Sequence, residues 1–314
     1  MSTFSSNTRQ FNGILYVAIS LICITSFITP PLALFIGLSF ALTLDIPFPK
    51  FNRLASTYLL QLSVIGLGFG MNLHDALKAG SDGMLFTIFS VISVMILGLI
   101  LGKFFHVSKI SSYLIASGTA ICGGSAIATV GPIAKANESE MSISLATIFI
   151  LNAFALLLFP ILGHWLHLSQ HQFGLWAAIA IHDTSSVVGA GSTFGDEALK
   201  VATTVKLTRA LWIIPLSLFT SFYFKSKEDR IAIPWFILLF ILAMVLNTYL
   251  SIPTYFSHGI VIIARQCLTL TLFFIGAGLS RSVIKSVGAK PLLLGIVLWF
   301  FIAIASLTFI YFSY

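Results

Sequence analysis

Apolar runs of about 20 residues recur along the whole chain, separated by short stretches of polar residues, glycine or proline. A helix of about 20 apolar residues is long enough to cross the hydrocarbon core of a bilayer, which is about 30 Å thick. Hydrophobic residues make up 58% of the sequence and charged residues only 9%, whereas soluble domains carry roughly 25% charged residues. The sequence therefore predicts an all-α, polytopic membrane protein and excludes a soluble fold.

The ends of the apolar runs predict about eleven transmembrane helices. We expect these helices near residues 12–28, 31–45, 54–74, 84–104, 110–135, 141–163, 172–194, 197–223, 231–249, 258–280 and 290–312. They form a single membrane domain of residues 1–314, in which helix 12–28 is an extra N-terminal element.

Basic residues are distributed unevenly between the loops on the two sides of these helices. With the N-terminus in the cytoplasm, eleven fall inside and three outside. The inside set is Arg9, Lys50, Arg53, Lys103, Lys109, Lys225, Lys227, Arg230, Arg281, Lys285 and Lys290, and the outside set is Lys78, Lys135 and Lys200. Because cytoplasmic loops are enriched in Lys and Arg, we expect a cytoplasmic N-terminus and a C-terminus on the outer side of the membrane.

Two parts of the sequence resemble each other weakly. The similar segments are 32–47 with 236–253, and 66–80 with 274–288. An odd number of predicted helices separates the two copies, so they would have opposite orientations, as the inverted repeats of secondary transporters do. A competing division gives five helices to each repeat, residues 31–163 and 172–312, and the sequence leaves both divisions open.

The segment GTAICGGSAIATVGP, residues 118–132, contains residues that disfavour a continuous helix. A broken helix is tolerated at membrane depth only where its freed backbone groups are buried in protein or line a wet cavity. Unpaired amides at the start of the second half-helix would attract an anion. The residues that we assign to this anion-binding site are Gly118, Thr119, Cys122, Gly123, Gly124 and Ser125. The alternative is close helix packing through small residues.

The segment IHDTSSVVGAGSTFG, residues 181–195, holds the only carboxylate that lies deep in a predicted helix, Asp183. A rise of about 1.5 Å per residue from position 172 places Asp183 close to mid-membrane, where ionisable residues are usually functional. We predict that Asp183 and His182 couple protons and that Thr184 and Ser185 contact the substrate. A structural ion pair is the alternative for Asp183, and simple packing is the alternative for His182.

The segment TVKLTRAL, residues 204–211, places Lys206 and Arg209 three positions apart, on one face of one helix. Both lie too deep to reach the membrane surface, so they must face the protein interior. With Asp183, the deep core has one acid and two bases, and the surplus positive charge needs a partner. A bound anion is the simplest partner, and the planar fork of arginine suits an oxyanion.

In these segments the sequence resembles the YeiH-like sulfate exporter family of bacterial inner-membrane proteins. The resemblance covers most of the chain and is strongest in GTAICGGSAIATVGPIAKA and in FGLWAAIAIHDTSSVVGAGSTFGDEALKVATTVKLTRAL. It implies a fold similar to cation:proton antiporters and bile-acid symporters, with inverted repeats of five helices and discontinuous helices that cross near the midplane. It also implies export of sulfate or a related sulfur oxyanion.

Together these features predict a secondary active transporter that exports a small anion with proton coupling. A passive anion channel could use the same basic lining. A membrane-embedded enzyme, with Ser125 as nucleophile and His182 as base, is the other alternative. We expect no enzymatic activity, cofactor, metal site or nucleic-acid partner. The expected partners are a small inorganic or organic anion and the lipid bilayer, and a homodimer is left open.

Overall fold

The computed structural model of the protein describes residues 2–25, 27–44, 46–82, 84–224, 235–250, 252–279 and 287–313. Within these ranges the chain forms helices and no strands. The helices are α1 (Ser2–Cys23), α2 (Pro30–Thr43), α3 (Pro49–Gly68), α4 (Leu73–Asp82), α5 (Met84–Phe104), α6 (Lys109–Ala120), α7 (Gly124–Ile133), α8 (Glu138–Trp165), α9 (Gln170–Ala180), α10 (Thr184–Phe194), α11 (Asp196–Ala210), α12 (Ile213–Phe224), α13 (Trp235–Tyr249), α14 (Thr254–Gly278) and α15 (Ala289–Ser313).

Several of these helices are long and apolar enough to cross a membrane. Five stretches in the described ranges meet that length and composition: Phe86–Phe104, Glu138–Trp165, Asp196–Phe224, Thr254–Gly278 and Ala289–Ser313. Shorter apolar helices accompany them. The predicted all-α, polytopic membrane fold is therefore confirmed.

Some predicted helices differ from those in the structure. The predicted helix 110–135 is divided into α6 and α7, 172–194 into α9 and α10, and 197–223 into α11 and α12. Helix α4 has no predicted counterpart, because Asp75 and Lys78 make it too polar to be recognised as a membrane span. The predicted inside loops around Lys225, Lys227, Arg230, Arg281 and Lys285 lie outside the described residues.

Contacts between residues group the chain into two units. Unit 1 contains residues 1–73 and 235–282, and unit 2 contains residues 74–234 and 283–314. In unit 1, α14 packs against α1, α2 and α3, and α13 packs against α3. Gly37 permits the close approach of α2 and α14, because a Cβ atom at this position would lie 2.1 Å from the carbonyl oxygen of Phe273.

Unit 2 is built around the two interrupted helices, α6–α7 and α9–α10. Helix α6 packs against α5, α8 and α15, while α9 packs against α11 and α15, and α8 contacts both α7 and α10. Capping boxes fix where α8 and α9 begin, the first between Asn137 and Glu140 and the second between Ser169 and Gln172. All of the sequence-predicted site residues belong to this unit.

Candidate functional site

The interruptions of the two helices lie beside each other in unit 2. Residues 121–123 separate α6 from α7, and residues 181–183 separate α9 from α10. A Cβ atom on Gly123 would lie 3.4 Å from both the carbonyl oxygen of His182 and the Cα atom of Asp183. The backbone φ of Gly123 is +63°, a left-handed conformation that glycine adopts without the steric cost of a side chain. Gly123 therefore permits both the turn and the contact.

The second interruption is held by hydrogen bonds from two side chains. The carboxylate of Asp183 caps α10, because its Oδ2 atom accepts hydrogen bonds from the backbone amide of Ser185 at 3.1 Å and from the hydroxyl of Ser185. From α8, the Oδ1 atom of Asn152 accepts the backbone amides of His182 and Asp183 at 3.1 and 3.2 Å. The sequence analysis did not identify Asn152. The one feature that distinguishes this residue in the sequence is that it is polar and interrupts the apolar run FILNAFALL.

Lys206 lies in α11, is 0% exposed and binds the end of α9. Its Nζ atom donates hydrogen bonds to the carbonyl oxygens of Ala178, at 3.2 Å, and Ile181, at 2.7 Å. The last carbonyl groups of a helix lack intrahelical donors and form the negative end of its dipole. Lys206 therefore supplies both hydrogen bonds and a positive charge to the C-terminal end of α9.

Arg209 lies one turn further along α11, is 1% exposed and binds the end of α6. Its Nε atom donates to the carbonyl oxygen of Ala120 at 2.8 Å. Its two terminal nitrogens are buried and have no hydrogen-bond partner among the described residues. Within the same part of the chain, neither Lys206 nor Arg209 forms an ion pair with Asp183. Arg209 thus keeps a positive, two-donor group available.

Buried polar atoms without partners are concentrated in unit 2. The described residues of this unit that carry such atoms are Thr119, Ser144, Asn152, His182, Thr204 and Arg209. Roughly 90% or more of buried polar groups in native structures are hydrogen-bonded, so an accumulation of exceptions needs an explanation. The terminal nitrogens of arginine and Nδ2 of asparagine can only donate. These groups are suited to a ligand that is rich in acceptors.

Electrostatic proximity joins the two interruptions and the two cations into one group. Cys122 is close enough to Lys206, Arg209 and Asp183 to interact with their charges, and His182 is close enough to interact with the charges of Lys206 and Arg209. We use the name break cluster for Cys122, Asn152, His182, Asp183, Lys206 and Arg209, which these interactions and the hydrogen bonds of Asn152 connect. Of these residues, only Asp183 is more than slightly exposed.

The remaining predicted site residues occupy different environments. Gly118 and Gly124 are positions of close packing, since added Cβ atoms would lie 2.9 Å from Ile127 and 3.0 Å from Phe149. Ser125 is exposed in the first turn of α7. Thr184 and Ser185 are buried in the first turn of α10, where Ser185 completes the cap.

Comparison with known proteins gives matches over nearly the whole chain. The model of the family described as conserved hypothetical protein 698 matches residues 13–295. Two relatives are named UPF0324 membrane protein. The one from Bacteroides thetaiotaomicron is 60% identical over 291 residues, which cover 92% of this chain and 88% of that protein. The one from Porphyromonas gingivalis is 57% identical over 291 residues, which cover 91% of this chain and 88% of that protein. A third UPF0324 membrane protein, from Photobacterium profundum, is 44% identical over 309 residues, which cover 98% of this chain and 94% of that protein. No solved structure matches the chain.

Proposed function

The chain belongs to the family described as conserved hypothetical protein 698, and we propose that this multi-pass membrane protein is a secondary active transporter of a small anion. The observation that carries the proposal is the pair of terminal nitrogens on Arg209, which are buried, positively charged and without a partner in the described residues. The break cluster as a whole contains two cations and one carboxylate.

An anion is the ligand that this charge balance favours. A buried charge without a partner is costly, and its cost falls when an ion of opposite charge binds. The carboxylate of Asp183 is engaged by Ser185 rather than by either cation. A planar guanidinium group with two available donors matches two oxygens of an oxyanion. The resemblance to the YeiH-like sulfate exporter family favours sulfate or a related sulfur oxyanion, with export as the direction.

A carrier is favoured over the two alternatives. Secondary transporters commonly bind substrates at interrupted helices, and the break cluster lies where two such helices contact each other. Lys206, Arg209 and His182 are all buried, whereas the lining of an open channel would be accessible to water. The nucleophile and base pair of the enzyme alternative is not formed, since both ring nitrogens of His182 lack a hydrogen-bond partner among the described residues and so do not activate Ser125.

A thermal-shift panel on the purified protein tests the proposal. Sulfate, sulfite, thiosulfate, taurine and small carboxylates are compared at matched ionic strength. We expect at least one of these anions to raise the melting temperature, because a ligand at 100 times its Kd stabilises the native state by about 2.7 kcal/mol. Exchange measured in liposomes then separates a carrier from a channel. A panel in which no anion stabilises the protein would reject anion transport.

The orientation follows from the asymmetry of basic residues. We propose a cytoplasmic N-terminus, a periplasmic C-terminus and location in a bacterial inner membrane, with Lys225, Lys227 and Arg230 on the cytoplasmic side. Labelling of a cysteine introduced at position 227 from the periplasmic side would reverse this orientation.

Asp183→Asn is expected to remove the dependence of anion binding on pH while preserving the fold. Asparagine caps a helix about as well as aspartate, so the variant keeps the acceptor for the backbone amide of Ser185. In the parent, protonation of Asp183 removes a negative charge near the two cations, so lower pH should tighten anion binding, and by linkage the anion should promote proton uptake. The measurement is anion affinity as a function of pH, together with proton flux in proteoliposomes.

His182→Gln is the comparison variant for this prediction. His182 adjoins Asp183 in the second interruption, so replacing its ring should displace the pH profile, and the carboxylate of Asp183, which remains, should keep the profile from flattening. An Asp183→Asn protein with the pH dependence of the parent would exclude proton coupling at this carboxylate.

A further inference from the structure

Asn152 occupies a position in α8 from which it reaches the second interruption. The residue is 2% exposed and lies near the middle of the 28-residue helix Glu138–Trp165. Its Oδ1 atom accepts two consecutive backbone amides, from His182 and Asp183, and neither amide donates to a backbone carbonyl group in the described residues. An apolar side chain at this position would leave both amides buried without an acceptor.

These two hydrogen bonds determine where the other end of the side chain points. A side-chain amide has one acceptor atom, its oxygen, and one donor atom, its nitrogen. Because two donors hold Oδ1 against the interruption, the Nδ2 group is directed away from those amides. Nδ2 is buried and has no hydrogen-bond partner among the described residues. Its two N–H groups therefore remain available to a ligand.

We propose that Nδ2 of Asn152 donates a hydrogen bond to the transported anion, and so determines which ligands the break cluster accepts. This inference rests on the proposed function. The ring of the neighbouring His182 is also without partners, and His182 lies within electrostatic range of Lys206 and Arg209. A donor-only group on a residue that holds His182 favours a ligand that presents an acceptor and disfavours one that presents a hydrogen. Asn152 thus holds the second interruption with its oxygen and contacts the anion with its nitrogen.

Asn152→Asp tests the two halves of this side chain separately. The carboxylate has nearly the same shape and still accepts the amides of His182 and Asp183, but it replaces the donor with a negatively charged acceptor. We expect the fold to be retained and the affinity for sulfate, or for the anion that the thermal-shift panel identifies, to fall roughly 10- to 100-fold. When the pH is lowered, the protonated carboxyl regains a donor, and the affinity relative to the parent should recover.

The parent must be measured over the same pH range, because other titratable groups surround this position. Helix α8 packs against α6, α7, α10 and α15. The titratable or charged groups that these helices and their interruptions contribute are Cys122, His182 and Asp183 near the break, and Lys109, Tyr113, Lys290 and Tyr311 towards the helix ends. Helix α11 adds Lys206 and Arg209, and α8 itself carries Glu138, Glu140 and His164 near its ends. The recovery is therefore read from the ratio of the two affinities at each pH.

Two further variants make the test decisive. Asn152→Leu removes the donor without adding a charge, so it should weaken anion binding without recovery at low pH, and should also lower the melting temperature. Asn52→Asp places the same substitution at a buried asparagine of unit 1 and should leave anion affinity unchanged. If either Asn152 variant binds the anion like the parent while Arg209→Gln does not, the donor role is wrong and the proposed function stands. If the parent binds no anion in the panel, the proposed function fails.

Discussion

Replacing Arg209 with glutamine is expected to lower the affinity for the anion by about 100-fold or more, which is the largest binding loss that we predict for a single substitution. The terminal nitrogens of Arg209 are buried and have no partner in the described residues. A hydrogen bond to a charged group contributes about 1.5–3 kcal/mol, and about 1.4 kcal/mol corresponds to a factor of ten in Kd. Loss of two such bonds and of one positive charge leads to this estimate. Isothermal titration or thermal shift with the identified anion measures it.

The same substitution should change stability much less, because two effects oppose each other. The hydrogen bond from Nε to the carbonyl oxygen of Ala120 is lost, but so is the cost of burying a charged group with two unsatisfied donors. Arg209→Lys is the matched variant, since it keeps the charge and loses the planar fork. It should bind with intermediate affinity. Parent-like binding by Arg209→Gln would show that this residue is not part of the anion site.

Sequence alone predicts those parts of the site that depend on residue types or spacings within one short segment. The glycines around Cys122 disfavour a helix, and α6 ends and α7 begins on either side of residues 121–123. The spacing of Lys206 and Arg209 places them on one face of α11, and both are buried in the structure. Long apolar runs similarly gave the ends of α5 and α15 to within about one residue, because nothing within those runs competes with a continuous helix.

The second interruption lacks such a signal in its own residues. Ile181, His182 and Asp183 contain neither glycine nor proline, and the apolar pattern of 172–194 is that of a single helix. Outside residues 118–132, only the resemblance to a known family implied a discontinuous helix. In the structure the break depends on the cap formed by Asp183 and on Asn152, which is about 30 positions away in sequence. A contact between distant helices is a tertiary property that a local pattern does not encode.

The groups that bind the two cations were unpredictable for a related reason. Lys206 and Arg209 donate to backbone carbonyls of Ala178, Ile181 and Ala120. Every residue has a carbonyl group, so the sequence cannot show which ones will lack an intrahelical donor until the helix ends are known. The charge count indicated that the cations need a negative partner, and the structure supplies part of it from the ends of α6 and α9.

This distribution of contacts separates Lys206 from Arg209. Replacing Lys206 with methionine is expected to destabilise the protein by about 2–6 kcal/mol, because two buried carbonyl acceptors would be left unsatisfied at a cost of about 1–3 kcal/mol each. Methionine has a similar length but no donor, so the carbonyl oxygens of Ala178 and Ile181 would be left without their hydrogen bonds. The C-terminal end of α9 would also lose its positive charge. A marked fall in melting temperature and in the yield of folded protein should result.

The control is Lys200→Met, which makes the same substitution at an exposed position of α11 and should change stability by no more than about 0.5 kcal/mol. Anion affinity should be measured on the folded fraction of Lys206→Met, where we expect a smaller loss than in Arg209→Gln, because every hydrogen bond from Lys206 goes to the protein itself. The opposite pattern, in which Lys206→Met melts like the parent but no longer binds the anion, would contradict this assignment. The hydrogen bonds from Lys206 to the C-terminal end of α9 would then contribute little to stability, and Lys206 would bind the anion together with Arg209, as the sequence alone predicts.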